Sequence, residues 1–247
     1  MEHKGYIFEA EEKKTSVLFI HGICGTPNHF NDFVAQLPKN CSVYNLLLDG
    51  HGKGVRDFSR TSMKRWREQV FGVMDYLAQS HQSVIIVAHS MGTLFAIECA
   101  LKWSKKVKQL FLLAVPLKIA FKPRAAINSL KVSTDRISPD DKVAMAAKNA
   151  YGIEPDLRFW LYFGWIARYL ELFTEIRRTR KLVPLLKTPC LVFQSQKDEL
   201  VAKSSVKYFD SKVVKTVFLQ NSCHYYYDEQ DYDLLLKEFS KSICEKI

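Results

Sequence analysis

Short apolar runs and segments of helical period take turns along most of this chain, and that alternation limits its fold more than any other feature. The runs 16-SVLFI-20 and 43-VYNLLL-48 read as buried strands. A helix is expected over 62–80, with Ser62 as its N-cap and Trp66, Val70, Met74 and Leu77 along one face. A strand at 83–88, a helix at 91–103 and a strand at 107–115 follow. Near the other end come a strand at 190–195, a helix around 202–209, a strand at 213–219 and a closing helix at 230–244. That last helix places Tyr232, Leu235, Leu236, Phe239 and Ile243 on one side. Strands separated by helices pair through crossovers, so the expected fold is α/β, a mostly parallel sheet with helices on both faces.

The rhythm breaks between Pro116 and Thr188, where several helical patterns occur and no strand is expected. About 70 residues is too long for a simple loop. The expected organisation is therefore a core of residues 1–115 and 186–247 with a helical cap inserted at 116–185. Such an insertion falls over the carboxyl ends of the strands, where open α/β sheets bind ligands.

With 47% hydrophobic and 25% charged residues, 247 residues make one large globular domain. No apolar run approaches the roughly 18 to 20 residues of a membrane span, and 1-MEHKGYIFEAEEKK-14 lacks a signal-peptide pattern, so a cytoplasmic location is expected. Six scattered cysteines (24, 41, 99, 190, 223, 244) read as free thiols, with no spacing that suits zinc. The net charge of +10 concentrates in 177-RRTRK-181 and 102-KWSKKVK-108, but neither cluster belongs to a nucleic-acid module. Solvated helix faces account for them; transient attraction to an anionic membrane surface or an acidic partner is the alternative.

In 84-VIIVAHSMGTLF-95 a buried strand runs into a helix with no connecting loop, and Ser90 sits in the bend. So tight a turn pushes the hydroxyl out of the sheet and requires small residues two positions either side, here Ala88 and Gly92. The helix starting at Met91 aims its N-terminal dipole at Ser90, where negative charge would develop. A serine nucleophile needs a base, and the base needs an orienting acid. Of seven histidines only His224 lies after Ser90, in a loop between the last strand and the last helix. The candidate acid is Asp198 in 193-FQSQKDELV-201, with Glu199 beside it as competitor and Asp210 further along at a helix end. Backbone donors for an oxyanion are expected from Met91 and from Ile23, in the glycine-flanked loop 19-FIHGICGTP-27. His21, His51 and His89 read as hydrogen-bonded or loop-shaping residues.

The segments 20-IHGICG-25, 46-LLLDGHGKG-54, 86-IVAHSMGT-93, 196-QKDELV-201 and 222-SCHYYYDE-229 together resemble the α/β-hydrolases of the carboxylesterase and monoacylglycerol lipase group. They span nearly the whole core in family order. The resemblance implies a triad of Ser90, Asp198 and His224, oxyanion donors at Ile23 and Met91, and no metal or cofactor. The chain departs from the family pattern at Ala88, at Asp49 before G-H-G, and at Cys223 before the histidine. None of these removes a catalytic atom, although Cys223 restricting His224 or making activity sensitive to thiol oxidation is one expectation.

The expected activity is hydrolysis of carboxylic esters, monoacylglycerols or other short- to medium-chain acyl esters, through an acyl-enzyme on Ser90. A phenolic-acid (feruloyl-type) esterase, a thioesterase or an acyltransferase uses the same triad, and a non-enzymatic ligand receptor uses the same fold. Ser90 in place of an aspartate disfavours a dehalogenase or epoxide hydrolase. The partner is a small-molecule ester, with no nucleic acid and the oligomeric state left open. Within the aromatic stretch 158–173, Phe159, Trp160, Tyr162, Phe163, Trp165 and Tyr169 each read first as packing inside the cap, yet some must line the acyl pocket if the cap covers Ser90, and Phe159, Trp160, Phe163 and Trp165 are the candidates for that lining.

Overall fold

Alternate residues of each central strand face opposite sides, and in this chain both sides are apolar. Val17 and Phe19, with Ile85 and Val87, join a cluster containing Phe30, Phe33, Phe111, Phe193 and Phe239. Leu18 and Ile20, with Val84, Ile86 and Ala88, join the cluster on the other face, around Trp66, Leu94 and Phe95. A strand buried on both faces needs a helix layer on each, and the computed structural model supplies them. It describes residues 2–134, 136–210 and 212–244.

The strands are β1 (Tyr6–Phe8), β2 (Thr15–Ile20), β3 (Ser42–Leu46), β4 (Lys53–Gly54), β5 (Ser83–His89), β6 (Val107–Leu113), β7 (Ile153–Glu154), β8 (Cys190–Ser195) and β9 (Val214–Leu219). The helices are α1 (Asn31–Ala35), α2 (Val55–Arg60), α3 (Met63–Ser80), α4 (Met91–Lys102), α5 (Pro123–Ser133), α6 (Lys142–Ala150), α7 (Phe163–Leu182) and α8 (Glu229–Cys244). Seven strands form one sheet in the order β1-β3-β2-β5-β6-β8-β9. All its pairings are parallel except that of β1 with β3.

Local chemistry explains the main boundaries. Ser62 accepts the N–H of Arg65 at 3.1 Å, so α3 starts where a capping side chain stands. Its buried face is Met63, Trp66, Val70, Met74 and Leu77, the expected stripe with one residue added. The helix expected around 202–209 is a 3₁₀ helix, Lys203–Tyr208. There Ser205 Oγ is turned to the backbone of Lys118, donating to its carbonyl at 3.1 Å and accepting its N–H at 2.8 Å. A side chain bonded outside its own helix favours such a short, tight turn.

The segment between β6 and β8 is helical but holds one short strand that the sequence reading lacks. Two-residue β7 pairs in parallel with β4, and the pairing ties the insertion to the loop after β3. Helices α5 and α6 pack on each other, whereas α7 lies along α2, α3 and α4. Arg67 of α3 bridges Glu98 of α4 and Glu175 of α7, and Arg178 of α7 returns to both carboxylates. Helix α7 is thus fastened to the core by a largely buried ion network. Cys24, Cys41, Cys99, Cys190 and Cys223 are free and buried, while the side chain of Cys244 lies outside the described residues. Among the described residues no helix is long and apolar enough to cross a membrane.

Candidate active site

At the end of β5 the backbone turns through Ser90 at φ 49° and ψ −122°, a region that residues with a Cβ rarely adopt. The bend is held on both sides. Ser90 N–H donates to the Leu113 carbonyl of β6 at 2.9 Å, and the Ser90 carbonyl accepts the N–H of Thr93 at 3.0 Å and its hydroxyl at 2.6 Å. Gly92 has no substitute here: a Cβ on it would stand 2.2 Å from the Ile20 carbonyl oxygen and 2.7 Å from that of His21. Gly22 is nearly as constrained, because its Cβ would fall 2.9 Å from that of Ser90. The loop after β2 therefore lies directly against the serine. Ile23 of that loop and Ser90 both line one cavity. Met91 is the first residue of α4, so its N–H has no acceptor within the helix.

His224 and Asp198 are fully buried together. Nδ1 of His224 lies 2.9 Å from Oδ2 of Asp198 and 3.1 Å from Oδ1, so the Nδ1–H donates to the carboxylate and Nε2 is left for another partner. Asp198 is itself held, since Oδ1 accepts the N–H groups of Leu200 and Val201, each at 2.8 Å. Glu199, the competing acid, does not reach the imidazole; its Oε2 accepts the backbone N–H of His224 at 3.1 Å. The Oδ1 of Asp210 accepts the Lys212 N–H at 3.0 Å. Burial alone would lower the pKa of His224, but the charge and hydrogen bond of Asp198, helped by Glu199, outweigh it and the net shift is upward.

The histidine loop is clasped by the first turn of α8. Asp231 accepts the N–H groups of Gln220 and Asn221 and the hydroxyl of Ser222, at 3.1, 2.7 and 2.7 Å. The loop meets the serine bend through His89, whose Nε2–H donates to the His224 carbonyl at 3.1 Å. His21 bonds Gly22 O through Nδ1 and the Leu48 N–H through Nε2, and burial lowers its pKa to about 4. His51 bonds back to the Leu48 and Asp49 carbonyls of its own loop. Cys223 is buried, its N–H donates to the Tyr226 carbonyl at 2.8 Å, and burial raises its thiol pKa, which disfavours the reactive thiolate.

Two residues of this site escape a reading by motif. His29 is half-buried with its ring centroid 4.3 Å from that of His89, and loss of solvation, then the neighbouring His224 and His21, lowers its pKa to about 3. Tyr225 stands beside His224 in the cavity wall. Nothing local marks either one, because the partners of His29 lie about 60 and 200 positions away along the chain.

The cavity has a volume of about 420 Å³, and Ser90 opens onto it. Tyr151, Tyr162, Tyr169 and Tyr225 form much of one wall, and Phe121, Ala125 and Val132 come from the α5 side. The four aromatic residues expected to line it do not. Phe159, Trp160 and Phe163 are 70%, 53% and 64% exposed on the outer surface. Trp165 is buried elsewhere, its Nε1–H donating to the Val55 carbonyl at 3.2 Å and its ring centroid 4.6 Å from that of Phe58. The reason is helical phase: α7 turns Trp165, Leu172 and Ile176 toward the core, which puts Phe163 on the opposite face.

Comparison with known proteins gives the family. Residues 11–231 match the family model described as serine aminopeptidase, S33. A thermostable monoacylglycerol lipase of Bacillus sp. (strain H-257) is 25% identical over 231 residues, which cover 88% of this chain and 85% of that protein. A probable lysophospholipase of Arabidopsis thaliana, BODYGUARD 4, is 30% identical over 111 residues, 44% of this chain; the match spans only 27% of that protein's length. A solved structure of the metagenome-derived lipolytic enzymes LipS and LipT shares the fold with a TM-score of 0.74 at 18% identity, over 98% of this chain and 97% of the other. A match to nine-tenths of the chain places it: it belongs to the serine aminopeptidase S33 family of α/β-hydrolases and is a serine hydrolase of the lipase and esterase group.

Proposed function

We propose that the protein hydrolyses carboxylic esters of short- to medium-chain acids, monoacylglycerols among them, through an acyl-enzyme on Ser90. The observation that carries this reading is a strained serine on the cavity whose neighbour His89 is hydrogen-bonded to the loop of a buried histidine–aspartate pair. In this mechanism Ser90 Oγ attacks the ester carbonyl while Nε2 of His224 takes its proton. Asp198 holds the imidazole in the tautomer that makes Nε2 the base. The Ile23 and Met91 N–H groups receive the oxyanion, and losing one such donor typically costs about 3 kcal/mol of barrier. His224 then protonates the departing alcohol, and water, deprotonated by the same nitrogen, releases the acid and restores Ser90.

The cavity's size falls within the usual range for small-molecule sites, and its mainly apolar and aromatic wall suits an acyl chain. In this reading the insertion at 116–185 acts as lid, with α5 and α6 covering the substrate and α7 as fixed wall. The relationship to a monoacylglycerol lipase supports the same substrate class. The outer face of α7 presents Phe163, Ile166, Leu170 and Phe173, followed in phase by exposed Arg177 and Lys181. That pattern suits passing contact with an anionic lipid surface, which sedimentation with phosphatidylglycerol and phosphatidylcholine vesicles tests. Removal of an amino-terminal residue is a second reading. It is favoured by buried Glu199 in the cavity wall, a carboxylate able to hold an ammonium group.

A chain-length series of p-nitrophenyl and monoacylglycerol esters, run beside aminoacyl 4-nitroanilides with the wild type and Ser90→Ala, decides between them. Turnover of the esters that disappears in Ser90→Ala is expected. Turnover of the anilides alone would overturn the ester reading.

A further inference from the structure

The loop that carries Ile23 is a turn, closed by the Gly25 N–H on the Gly22 carbonyl at 3.0 Å, with Ile23 and Cys24 at its two central positions. Cys24 takes φ 54°, a conformation that favours glycine and is strained for a residue with a Cβ. Such a turn keeps its shape only where its surroundings hold it. On the core side His21 does so. Its Nε2 accepts the Leu48 N–H at 3.1 Å, so the ring proton sits on Nδ1, which donates to the Gly22 carbonyl at 2.8 Å. The Ile23 N–H belongs to the same peptide unit as that carbonyl and points the opposite way.

The other side of the turn is held by the insertion. Gly152, between α6 and β7, donates its N–H to the Cys24 carbonyl at 2.7 Å. Its own carbonyl accepts the Gly52 N–H at 2.7 Å, and the next two residues pair with β4. The approach is backbone on backbone: a Cβ on Gly152 would stand 2.2 Å from the Gly25 carbonyl oxygen and 2.9 Å from its carbon. The Sγ of Cys24 lies 3.8 Å from the hydroxyl of Tyr169 in α7, so the side chain of the strained residue rests on the insertion as well. Contacts thus run in a closed ring. They pass from the Gly22 carbonyl through His21 to the loop after β3, through Gly52 to Gly152, and back to the turn at Cys24. Covering a substrate calls for none of these bonds; fixing the turn calls for all of them.

We infer that Gly152 is a positioning residue for the oxyanion donor: its N–H holds Cys24, and through it the turn, so that the Ile23 N–H stays aimed at the substrate's carbonyl oxygen. The insertion then takes part in stabilising the transition state as well as in enclosing the substrate. The inference rests on the esterase reading above.

Two variants test it. Gly152→Ala pushes a Cβ into the turn. Replacing Gly152 by glycolic acid turns the Tyr151–Gly152 amide into an ester, which removes the N–H and adds no Cβ, so the test stays open if the alanine protein does not fold. The substrates are p-nitrophenyl octanoate and its thiono analogue, whose sulfur is a poor hydrogen-bond acceptor, with rates expressed per site that a fluorophosphonate labels at completion. A misplaced oxyanion donor slows the oxygen ester and leaves the thiono ester nearly as it was. In both variants kcat for the oxygen ester is expected to fall by about ten- to hundredfold, short of outright donor loss, with KM within about twofold of the wild type. The ratio of the two kcat values should fall by about tenfold. A merely structural role would lower Tm or the labelled fraction and leave that ratio alone, and an unchanged ratio in the glycolate variant overturns the inference while leaving the esterase reading intact. If the wild type turns over no ester, the esterase reading fails by itself. The rate of fluorophosphonate labelling at Ser90, whose phosphoryl oxygen needs the same donors, then tests Gly152: a drop of about tenfold in the glycolate variant is expected, and equal rates would overturn it. No labelling of the wild type would overturn both.

Discussion

Replacing Ser90 by glycine should stabilise the protein while abolishing its activity. The backbone at Ser90 has φ 49° and ψ −122°, and holding a residue with a Cβ there costs about 1–3 kcal/mol. Glycine adopts that conformation without the steric penalty, although its greater freedom in the unfolded chain takes back about 0.5–1 kcal/mol. The comparison that isolates strain is with Ser90→Ala, which loses the hydroxyl but keeps the Cβ. Relative to it, Ser90→Gly should gain about 1 kcal/mol. For a chain of 247 residues that amounts to a Tm higher by about 2–4 °C. Scanning calorimetry on both inactive variants, at one pH and protein concentration, reads the difference. A Ser90→Gly protein melting at or below Ser90→Ala would show that the bend stores no strain at the serine, and the sharp-turn explanation of its place on the cavity would fall with it.

Other perturbations have definite signs. Gly92→Ala forces a Cβ against two backbone carbonyl oxygens, so a loss of about 1–3 kcal/mol is expected together with loss of activity, and a wild-type Tm would contradict the close approach. His224 must be neutral to act as a base, and its pKa is raised, so kcat/KM should fall with decreasing pH through a midpoint above 6.5; Asp198→Asn should move that limb down and cut kcat severely. Buried His21 and half-buried His29 are neutral with pKa values of about 4 and about 3, so their contribution is complete above pH 6.5 and drains away as pH falls toward those values. By pH 5 each should remove about 2 kcal/mol of unfolding free energy, and urea unfolding at pH 7 and pH 5 would expose an equal stability that contradicts this. Arg67→Met leaves Glu175 buried with only half-exposed Arg178 beside it, and should destabilise by about 3 kcal/mol in the same urea assay.

Some of this molecule is written locally and some is not. The α/β rhythm, the stripe of α3 and the bend at Ser90 are legible because each depends on residues a few positions apart. The Asp198–His224 pairing was approachable because the order along the chain restricts the choice to one downstream histidine. By contrast, β1 is three exposed residues, recognisable only by its antiparallel pairing with β3 some 35 positions on. The aromatic stretch 158–173 misled for a related reason. Both faces of α7 are apolar, so period alone cannot tell which face meets the core, and the pocket took Tyr162 and Tyr169 rather than Phe159, Trp160, Phe163 or Trp165.

The most direct test of the whole account is chemical. A fluorophosphonate reacts with a serine only where a base has activated it and donors await the oxyanion. Incubation with such a probe, digestion, and mass spectrometry of the labelled peptide should place one phosphonate on Ser90, with labelling lost in Ser90→Ala and greatly slowed in His224→Ala. A wild-type protein that stays unlabelled, or carries the label on another serine, would contradict it.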